Sequence, residues 1–80
     1  MYFVYVLLSK KSGRHYIGSC ACVEERLKRH NAGATKSTRP FRPWILIYSE
    51  SFANITEARK RELQIKSYKG GEAFGRLIQK

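Results

Sequence analysis

The chain has 80 residues, of which 16 are Lys or Arg and only 6 are Asp or Glu, so its formal net charge at pH 7 is +10. A chain of this length forms one small core, and we expect a single domain over residues 1–80. It contains neither an apolar run of about 18 residues that could span a bilayer nor a basic segment before the apolar N-terminal stretch, as a secretory signal would have. These features exclude a membrane partner, favour a cytoplasmic location and suit a partner rich in phosphates.

The N-terminal part of the chain predicts a β-hairpin. Residues 1–8 are rich in aromatic and β-branched types, turn residues follow at 9–13, and residues 15–18 return as a second strand. So short a connection makes the two strands antiparallel. Because side chains alternate along a strand, the two faces of the first strand carry Phe3, Tyr5 and Leu7 on one side and Val4, Val6 and Leu8 on the other.

The two cysteines, Cys20 and Cys22, are separated by one residue. A disulfide between such near neighbours would be strained, so we expect two free thiols in a reducing compartment. Together with His15 and His30 they offer four zinc ligands, but their spacing matches no structural zinc pattern. We therefore predict no zinc site.

A helical pattern follows over residues 23–31. Two glutamates open it, where a helix N-terminus favours negative charge, and Gly33 follows its end, where a left-handed residue is needed. Residues one turn apart share a helix face. Arg26 and His30 are therefore expected to lie together, beside the apolar residues Val23 and Leu27.

The second half of the chain predicts one strand and two helices. The continuous apolar character of residues 44–48 is typical of a strand buried in the sheet. Asn54 or Thr56 can cap a helix at about residues 55–68, and a short helix at about residues 72–79 follows a pair of glycines. The order of elements predicts an α+β fold.

Glu62 is the most unusual residue of the predicted helix 55–68. At about 100° per residue it falls in the apolar arc of Ile55, Ala58 and Ile65, with Glu57, Lys60 and Gln64 outside. An inward carboxylate needs a cation nearby. That cation is either a basic side chain, Lys66 or Arg26, or a metal ion, and because the chain has no Asp, Glu62 is the best placed ligand for Mg²⁺.

Four further residues are expected to point toward the same spot as Glu62, namely Tyr5, Tyr16, Arg26 and His30. Each also has an ordinary explanation. The tyrosines suit half-buried strand positions with their hydroxyls at the rim, and Arg26 and His30 suit a solvated helix face. Only the combination of all five residues indicates a catalytic site.

In that combination the chain resembles the GIY-YIG nuclease superfamily. The first signature triplet corresponds to residues 3–5 and the second to residues 16–18. The two tyrosines lie eleven residues apart, Arg26 follows the second by ten and His30 follows Arg26 by four. Glu62 lies in a segment similar to the one that holds the family's metal-binding glutamate. The resemblance covers nearly the whole chain and is greatest to short, stand-alone bacterial members.

The resemblance implies a small three-stranded antiparallel sheet flanked by helices, in a sandwich-like α+β arrangement. It also implies a structure-selective endonuclease that hydrolyses phosphodiester bonds of DNA with one Mg²⁺ or Mn²⁺ and has a role in DNA repair or recombination. By analogy, Tyr5 acts as general base or relay, Tyr16 positions water or phosphate, and Arg26 neutralises developing charge. His30 assists the proton path, and Glu62 holds the metal ion.

The chain departs from the family pattern at two places. Phe3 replaces the first glycine of the signature, and no Asn follows Glu62, although many family nucleases use one late in the domain. The missing Asn favours the rival hypothesis of a non-catalytic DNA- or RNA-binding module with the nuclease fold. An inward carboxylate favours the nuclease, because without a metal ion it would repel phosphate.

The positive charge predicts contacts with the nucleic-acid backbone on either side of the site, which weaken as salt rises. The expected contact residues are Lys10, Lys11, Arg14, Lys36, Arg39, Arg42 and Lys66. No small-molecule cofactor is expected. A protein partner would supply targeting to so small a nuclease.

Overall fold

The computed structural model describes residues 1–78, which form, besides a short 3₁₀ helix at Arg39–Phe41, three strands and three α-helices. In chain order they are β1 (Tyr2–Ser9), β2 (His15–Cys20), α1 (Val23–Asn31), β3 (Trp44–Phe52), α2 (Ile55–Ser67) and α3 (Glu72–Ile78). The strands form one antiparallel sheet in the order β2-β1-β3. This arrangement confirms the predicted α+β fold with a small three-stranded antiparallel sheet. Residue 79, at the predicted end of the last helix, lies outside the described residues.

The central strand β1 contributes to two cores, one on each face of the sheet. Val4 and Val6 pack with residues of α2 and α3. Tyr5 and Leu7 pack on the opposite face, where Leu27 of α1 joins them. The predicted alternation of β1 is therefore confirmed from Val4 to Leu7. Full burial of each such aliphatic side chain contributes about 1.5–3 kcal/mol, so the strand that carries Tyr5 is firmly held.

The third strand is an edge strand, and the prediction that it is buried within the sheet was wrong. Trp44 at its start is buried, but Ile45 and Leu46 are 39% and 41% exposed. β1 occupies the centre because it pairs with both other strands. A register shift between Val6 and Leu7 also interrupts the β1–β3 pairing, so the apolar run of β3 does not keep a single buried face.

The helices begin and end close to the predicted residues. Helix α1 spans Val23–Asn31, and Gly33 beyond it has a positive φ of 81°. In α2 the Asn54 side chain accepts a hydrogen bond from the Glu57 backbone N–H at 2.9 Å, so Asn54 is the N-cap. The predicted apolar arc of α2 is only partly buried, because Ile55 remains 41% exposed. Within residues 1–78, no helix is long and apolar enough to cross a membrane.

Candidate active site

The Tyr5 side chain is 1% exposed, and it lies on the face of the sheet that α1 covers. Gly18 is its partner on β2. A Cβ atom on Gly18 would lie 2.6 Å from the Tyr5 hydroxyl oxygen and 3.2 Å from the Tyr16 ring. The absence of a side chain at Gly18 therefore makes the space in which the two tyrosines meet, with ring centroids 6.2 Å apart.

His30 reaches the tyrosines from α1. Its side chain is 1% exposed, so it is a core residue of the helix rather than part of a solvated face. His30 Nε2 lies 3.3 Å from the Tyr5 hydroxyl oxygen. The Tyr16 ring is tilted against the imidazole with centroids 4.7 Å apart. Tyr5, Tyr16 and His30 thus form one contiguous aromatic group.

Arg26 acts on this group through its charge. Burial, and next the nearby Tyr16, raise the pKa of Tyr5 far above its ordinary value, and Arg26 opposes that rise by its charge and by a hydrogen bond to Tyr5. Burial, together with Arg26 and Arg29, lowers the pKa of His30. At neutral pH Tyr5 therefore holds its proton and His30 is neutral, so the imidazole can accept a proton that the phenol passes on.

Glu62 lies on the opposite face of the sheet. Its Oε1 accepts a hydrogen bond of 2.7 Å from the Ser19 hydroxyl. Ser19 is the β2 partner of Val4, which faces α2, whereas Tyr5 faces α1. Ser19 directly follows Gly18, against which the Tyr5 hydroxyl packs, so Glu62 and the tyrosines reach neighbouring residues of edge strand β2 from opposite faces of the sheet.

The second oxygen of Glu62 is also bonded. Lys66, one turn further along α2, donates to Oε2 at 2.6 Å. This is the ion pair that the sequence offered as the alternative to a metal ion. The Lys66 side chain is 49% exposed, so it is free to leave at little cost, since exposed ion pairs contribute about 0–1 kcal/mol.

The residues around Glu62 can hold a largely hydrated divalent ion. Mg²⁺ keeps several waters and takes one or two protein carboxylates, and a carboxylate has about four acceptor positions, of which Ser19 and Lys66 use two. Among residues 1–78 no group of three His, Cys, Asp or Glu side chains is arranged as a metal cage. The donor set therefore fits one carboxylate-bound Mg²⁺ or Mn²⁺ that keeps most of its waters.

The sequence matches the GIY-YIG catalytic domain over residues 1–72. The match spans both tyrosines, Arg26, His30 and Glu62. This chain belongs to the GIY-YIG family. The family is one of nucleases, so the resemblance inferred from the residues is confirmed at the level of the family.

The relatives of this GIY-YIG protein are small bacterial proteins. A UPF0213 protein of Staphylococcus haemolyticus and one of Staphylococcus aureus strain N315 are each 38% identical over 68 residues, covering 84% of this chain and 82% of theirs. The solution NMR structure of a UPF0213 protein from Bacillus halodurans is 31% identical, with a TM-score of 0.49, and covers 91% of this chain and 90% of that one.

Several predicted phosphate contacts of the GIY-YIG domain lie on the α1 face. Arg14 stacks over Phe41 at 4.5 Å, and the Lys10 backbone N–H donates to the Pro43 carbonyl at 2.9 Å, so the hairpin turn adjoins the loop before β3. Arg39 and Arg42 also brace this loop, through bonds to the Gly33 and Arg39 carbonyls. Lys10, Lys11 and Lys36 are exposed, whereas Lys66 lies with Glu62.

Two clefts open on this face of the GIY-YIG domain. One of ≈ 160 Å³ is lined by Arg26, Arg29 and both cysteines, which are free thiols. The other, of ≈ 250 Å³, lies beside Tyr16 and is lined also by Arg14, Phe41 and Trp44. Half-buried Tyr16 and Arg26 thus mark the accessible rim above buried Tyr5.

Three residues of the GIY-YIG site were not identified from the sequence as part of it. Ser19 bonds Glu62, Arg29 acts on His30, and Thr38 lies 2.9 Å from His30 Nδ1 through its hydroxyl oxygen. Ser19 could have been found from strand alternation, and Arg29 from its place one residue before His30. Nothing in the sequence pattern marks Thr38, which lies in an irregular loop.

Proposed function

We propose that this protein is a metal-dependent endonuclease that hydrolyses DNA phosphodiester bonds, selects structured DNA and acts in repair or recombination. The observation that carries the proposal is the contact between the Tyr5 hydroxyl and His30 Nε2, 3.3 Å apart, with the charge of Arg26 acting on both. A buried phenol with a neutral imidazole beside it, under the influence of a guanidinium charge, is suited to proton transfer at an anion. A domain with a net charge of +10 would attract that anion.

The reaction starts with a water molecule that attacks the phosphorus in line with the leaving oxygen. Tyr5 receives the proton of the water while its own proton passes to His30 Nε2, so a phenolate need not accumulate. Arg26 donates to the phosphoryl oxygens, where negative charge grows. Tyr16, at the rim, orients the water or the phosphate.

Access to Tyr5 sets a condition on this mechanism. The phenol is 1% exposed, so a phosphate reaches it through the rim that Tyr16 and Arg26 form between the two clefts. The cleft of ≈ 160 Å³ brings Arg26 and Arg29 to one opening, which supports the entry of an anion there. Binding of DNA would accordingly displace the Tyr16 or Arg26 side chain.

Glu62 is the residue that would hold the divalent ion. When bound, Mg²⁺ or Mn²⁺ neutralises the charge that develops at the leaving oxygen. Ser19 fixes one carboxylate oxygen by its hydrogen bond, and Lys66 balances the charge of Glu62 until the ion replaces it. The proposal therefore requires the Lys66–Glu62 ion pair to open.

Cellular context is part of the same proposal. We place the protein in the bacterial cytoplasm as a single domain over residues 1–80, with nucleic acid as its partner. Its phosphate contacts carry no sequence information. A protein that delivers it to DNA would supply the targeting.

A non-catalytic nucleic-acid-binding module is the second candidate. The Lys66–Glu62 ion pair favours it, because Glu62 already has a cationic partner without a metal ion. Such a module would use the basic loop and the clefts in the same way. It would need neither Glu62 nor the Tyr5 hydroxyl for binding.

A cleavage panel separates the two candidates. Labelled single-stranded, duplex, flap and branched DNAs are incubated with Mg²⁺ or Mn²⁺ and with wild type, Glu62→Ala or Glu57→Ala. Glu57 is an exposed carboxylate of the same helix and serves as the matched control. The nuclease predicts metal-dependent cuts that disappear only in Glu62→Ala. Equal binding by all three proteins without any cut would replace the nuclease with the binding module.

A further inference from the structure

Thr38 places a buried hydroxyl beside the proton path of the site. It lies in the loop between α1 and β3 and is 2% exposed. Its hydroxyl oxygen is 2.9 Å from His30 Nδ1 and 3.3 Å from the Thr35 carbonyl oxygen. His30 Nε2, on the other side of the ring, is 3.3 Å from the Tyr5 hydroxyl oxygen. The four groups form one buried row of hydrogen bonds.

The loop holds Thr38 firmly in this row. The Thr35 carbonyl accepts hydrogen bonds from the backbone N–H groups of Thr38 and Arg39 at 3.2 and 3.0 Å. The indole N–H of buried Trp44 donates to the Thr38 carbonyl at 3.0 Å. The Asn31 side chain bonds both backbone groups of Trp44: its oxygen accepts from the Trp44 N–H and its amide nitrogen donates to the Trp44 carbonyl. The Thr38 hydroxyl is thus placed by contacts that do not involve His30.

Only one assignment of donors and acceptors along this row gives every buried polar hydrogen an acceptor. If Thr38 donates to the Thr35 carbonyl, its oxygen accepts from His30 Nδ1–H, and His30 Nε2 is left to accept the Tyr5 hydroxyl hydrogen. In the reverse direction Nε2–H points at the Tyr5 oxygen, and the Tyr5 hydroxyl hydrogen loses His30 as its acceptor. Leaving a buried donor unpaired costs about 1–3 kcal/mol.

We infer that Thr38 is a positioning residue that holds His30 as the tautomer protonated at Nδ1, so that Nε2 is free to receive the proton of Tyr5. The tautomer follows from the hydrogen bonds alone. Its use in catalysis rests on the proposed nuclease function. Thr38 does not touch substrate and acts only through His30.

The tautomer can be measured without any nuclease assay. In uniformly ¹⁵N-labelled wild-type protein, two-bond ¹H–¹⁵N correlation spectra distinguish the protonated from the unprotonated imidazole nitrogen. The exposed His15 supplies the comparison within the same spectrum. We expect the proton of His30 on Nδ1. A proton on Nε2 in the wild type overturns the inference, whether or not the protein cuts DNA.

Three variants test the role of the hydroxyl. Thr38→Val removes it in a side chain of similar shape, and Thr38→Ser retains it. Thr35→Val keeps the carbonyl to which Thr38 donates and is the control. We expect Thr38→Val to populate the Nε2-protonated tautomer and to lose about 10-fold in kcat with KM for DNA unchanged, as removal of one hydrogen bond implies.

Thr38→Ser and Thr35→Val are expected to keep both the wild-type tautomer and the wild-type rate. If Thr38→Val retains Nδ1 protonation, Thr38 does not set the tautomer and the inference fails. A third outcome separates the two proposals: wild type has the expected tautomer, Thr38→Val changes it, and neither protein cuts DNA. In that case Thr38 does position His30, and the proposed nuclease function fails. Should Thr38→Val not fold, the wild-type and Thr38→Ser spectra still decide the tautomer.

Discussion

Glu62 Oε2 lies 2.6 Å from Lys66 Nζ, so the carboxylate that would hold a metal ion has an internal cation in its place. Its other oxygen is held by Ser19. This relationship gives the inward carboxylate of α2 a counter-charge and a hydrogen-bond donor from the chain itself. It also makes Lys66 a competitor of the metal ion.

Removal of that competitor should strengthen metal binding. We expect Lys66→Met to bind Mn²⁺ about 2- to 5-fold more tightly than wild type, because an ion pair of this exposure contributes less than about 1 kcal/mol. Calorimetric titration with Mn²⁺ measures the change. Arg76→Met is the matched control, since it breaks an equivalent i,i+4 pair with Glu72 away from the site. Equal affinities in Lys66→Met and wild type would contradict competition.

Gly18→Ala tests the packing of the two tyrosines. The added methyl group would lie 2.6 Å from the Tyr5 hydroxyl oxygen, and overpacking of a core costs about 1–3 kcal/mol. We expect that loss in the free energy of unfolding, measured with urea. Gly75→Ala is the control: its Cβ meets nothing within 4 Å in helix α3, so it should stabilise by about 0.5–1 kcal/mol. A neutral Gly18→Ala would refute the close packing.

The buried imidazole predicts a pH dependence of stability. Burial, Arg26 and Arg29 lower the pKa of His30 below its ordinary 6.5, so the unfolded chain binds more protons than the folded one in the window below 6.5. The free energy of unfolding should therefore keep its whole His30 contribution above pH 6.5 and fall as the solution is acidified. His30→Gln should flatten this part of the profile, and His15→Gln, on an exposed side chain, should leave it in place. Parallel profiles for wild type and His30→Gln would disprove the assignment.

If the hairpin turn contacts phosphates, the affinity for DNA should depend on salt concentration through this turn. Lys10 and Lys11 are exposed there, next to the loop before β3. Replacing both by Ala should reduce the slope of log affinity against log salt by about 1.8 for duplex DNA. Fluorescence anisotropy at a series of salt concentrations measures the slope. Lys60→Ala, on the outward face of α2, is the comparison, and an unchanged slope in the double variant would remove the turn from the interface.

Local pattern was sufficient to predict much of this fold. The alternation of β1 separated Tyr5 from Val4 and Val6, and helical spacing placed His30 beside the apolar residues of α1. Both predictions use the side-chain periodicity that the backbone of a strand or a helix imposes directly. The inward orientation of the Glu62 side chain followed from the same reasoning, and this side chain is 18% exposed.

Local pattern could not predict how the strands and helices are arranged relative to one another. An apolar run does not distinguish an edge strand from a central one, because the position of a strand depends on its pairing partners. The exposure of Ile45 and Leu46 was therefore not predicted. Helical spacing placed Glu62 on an inner face without telling on which side of the sheet α2 would pack. Thr38 depends on a loop that Trp44 and Asn31 hold from elsewhere in the chain.

The most direct test of the proposed function is single-turnover cleavage of one end-labelled DNA by wild type and Tyr5→Phe, each with Mg²⁺ and with EDTA. Tyr5→Phe removes only the hydroxyl that contacts His30. We predict cleavage by wild type in Mg²⁺ alone and a rate at least about 100-fold lower in the variant, as expected for loss of a general acid–base group. Cleavage at equal rates by both proteins, or bound DNA that stays intact with wild type in Mg²⁺, would contradict the proposal.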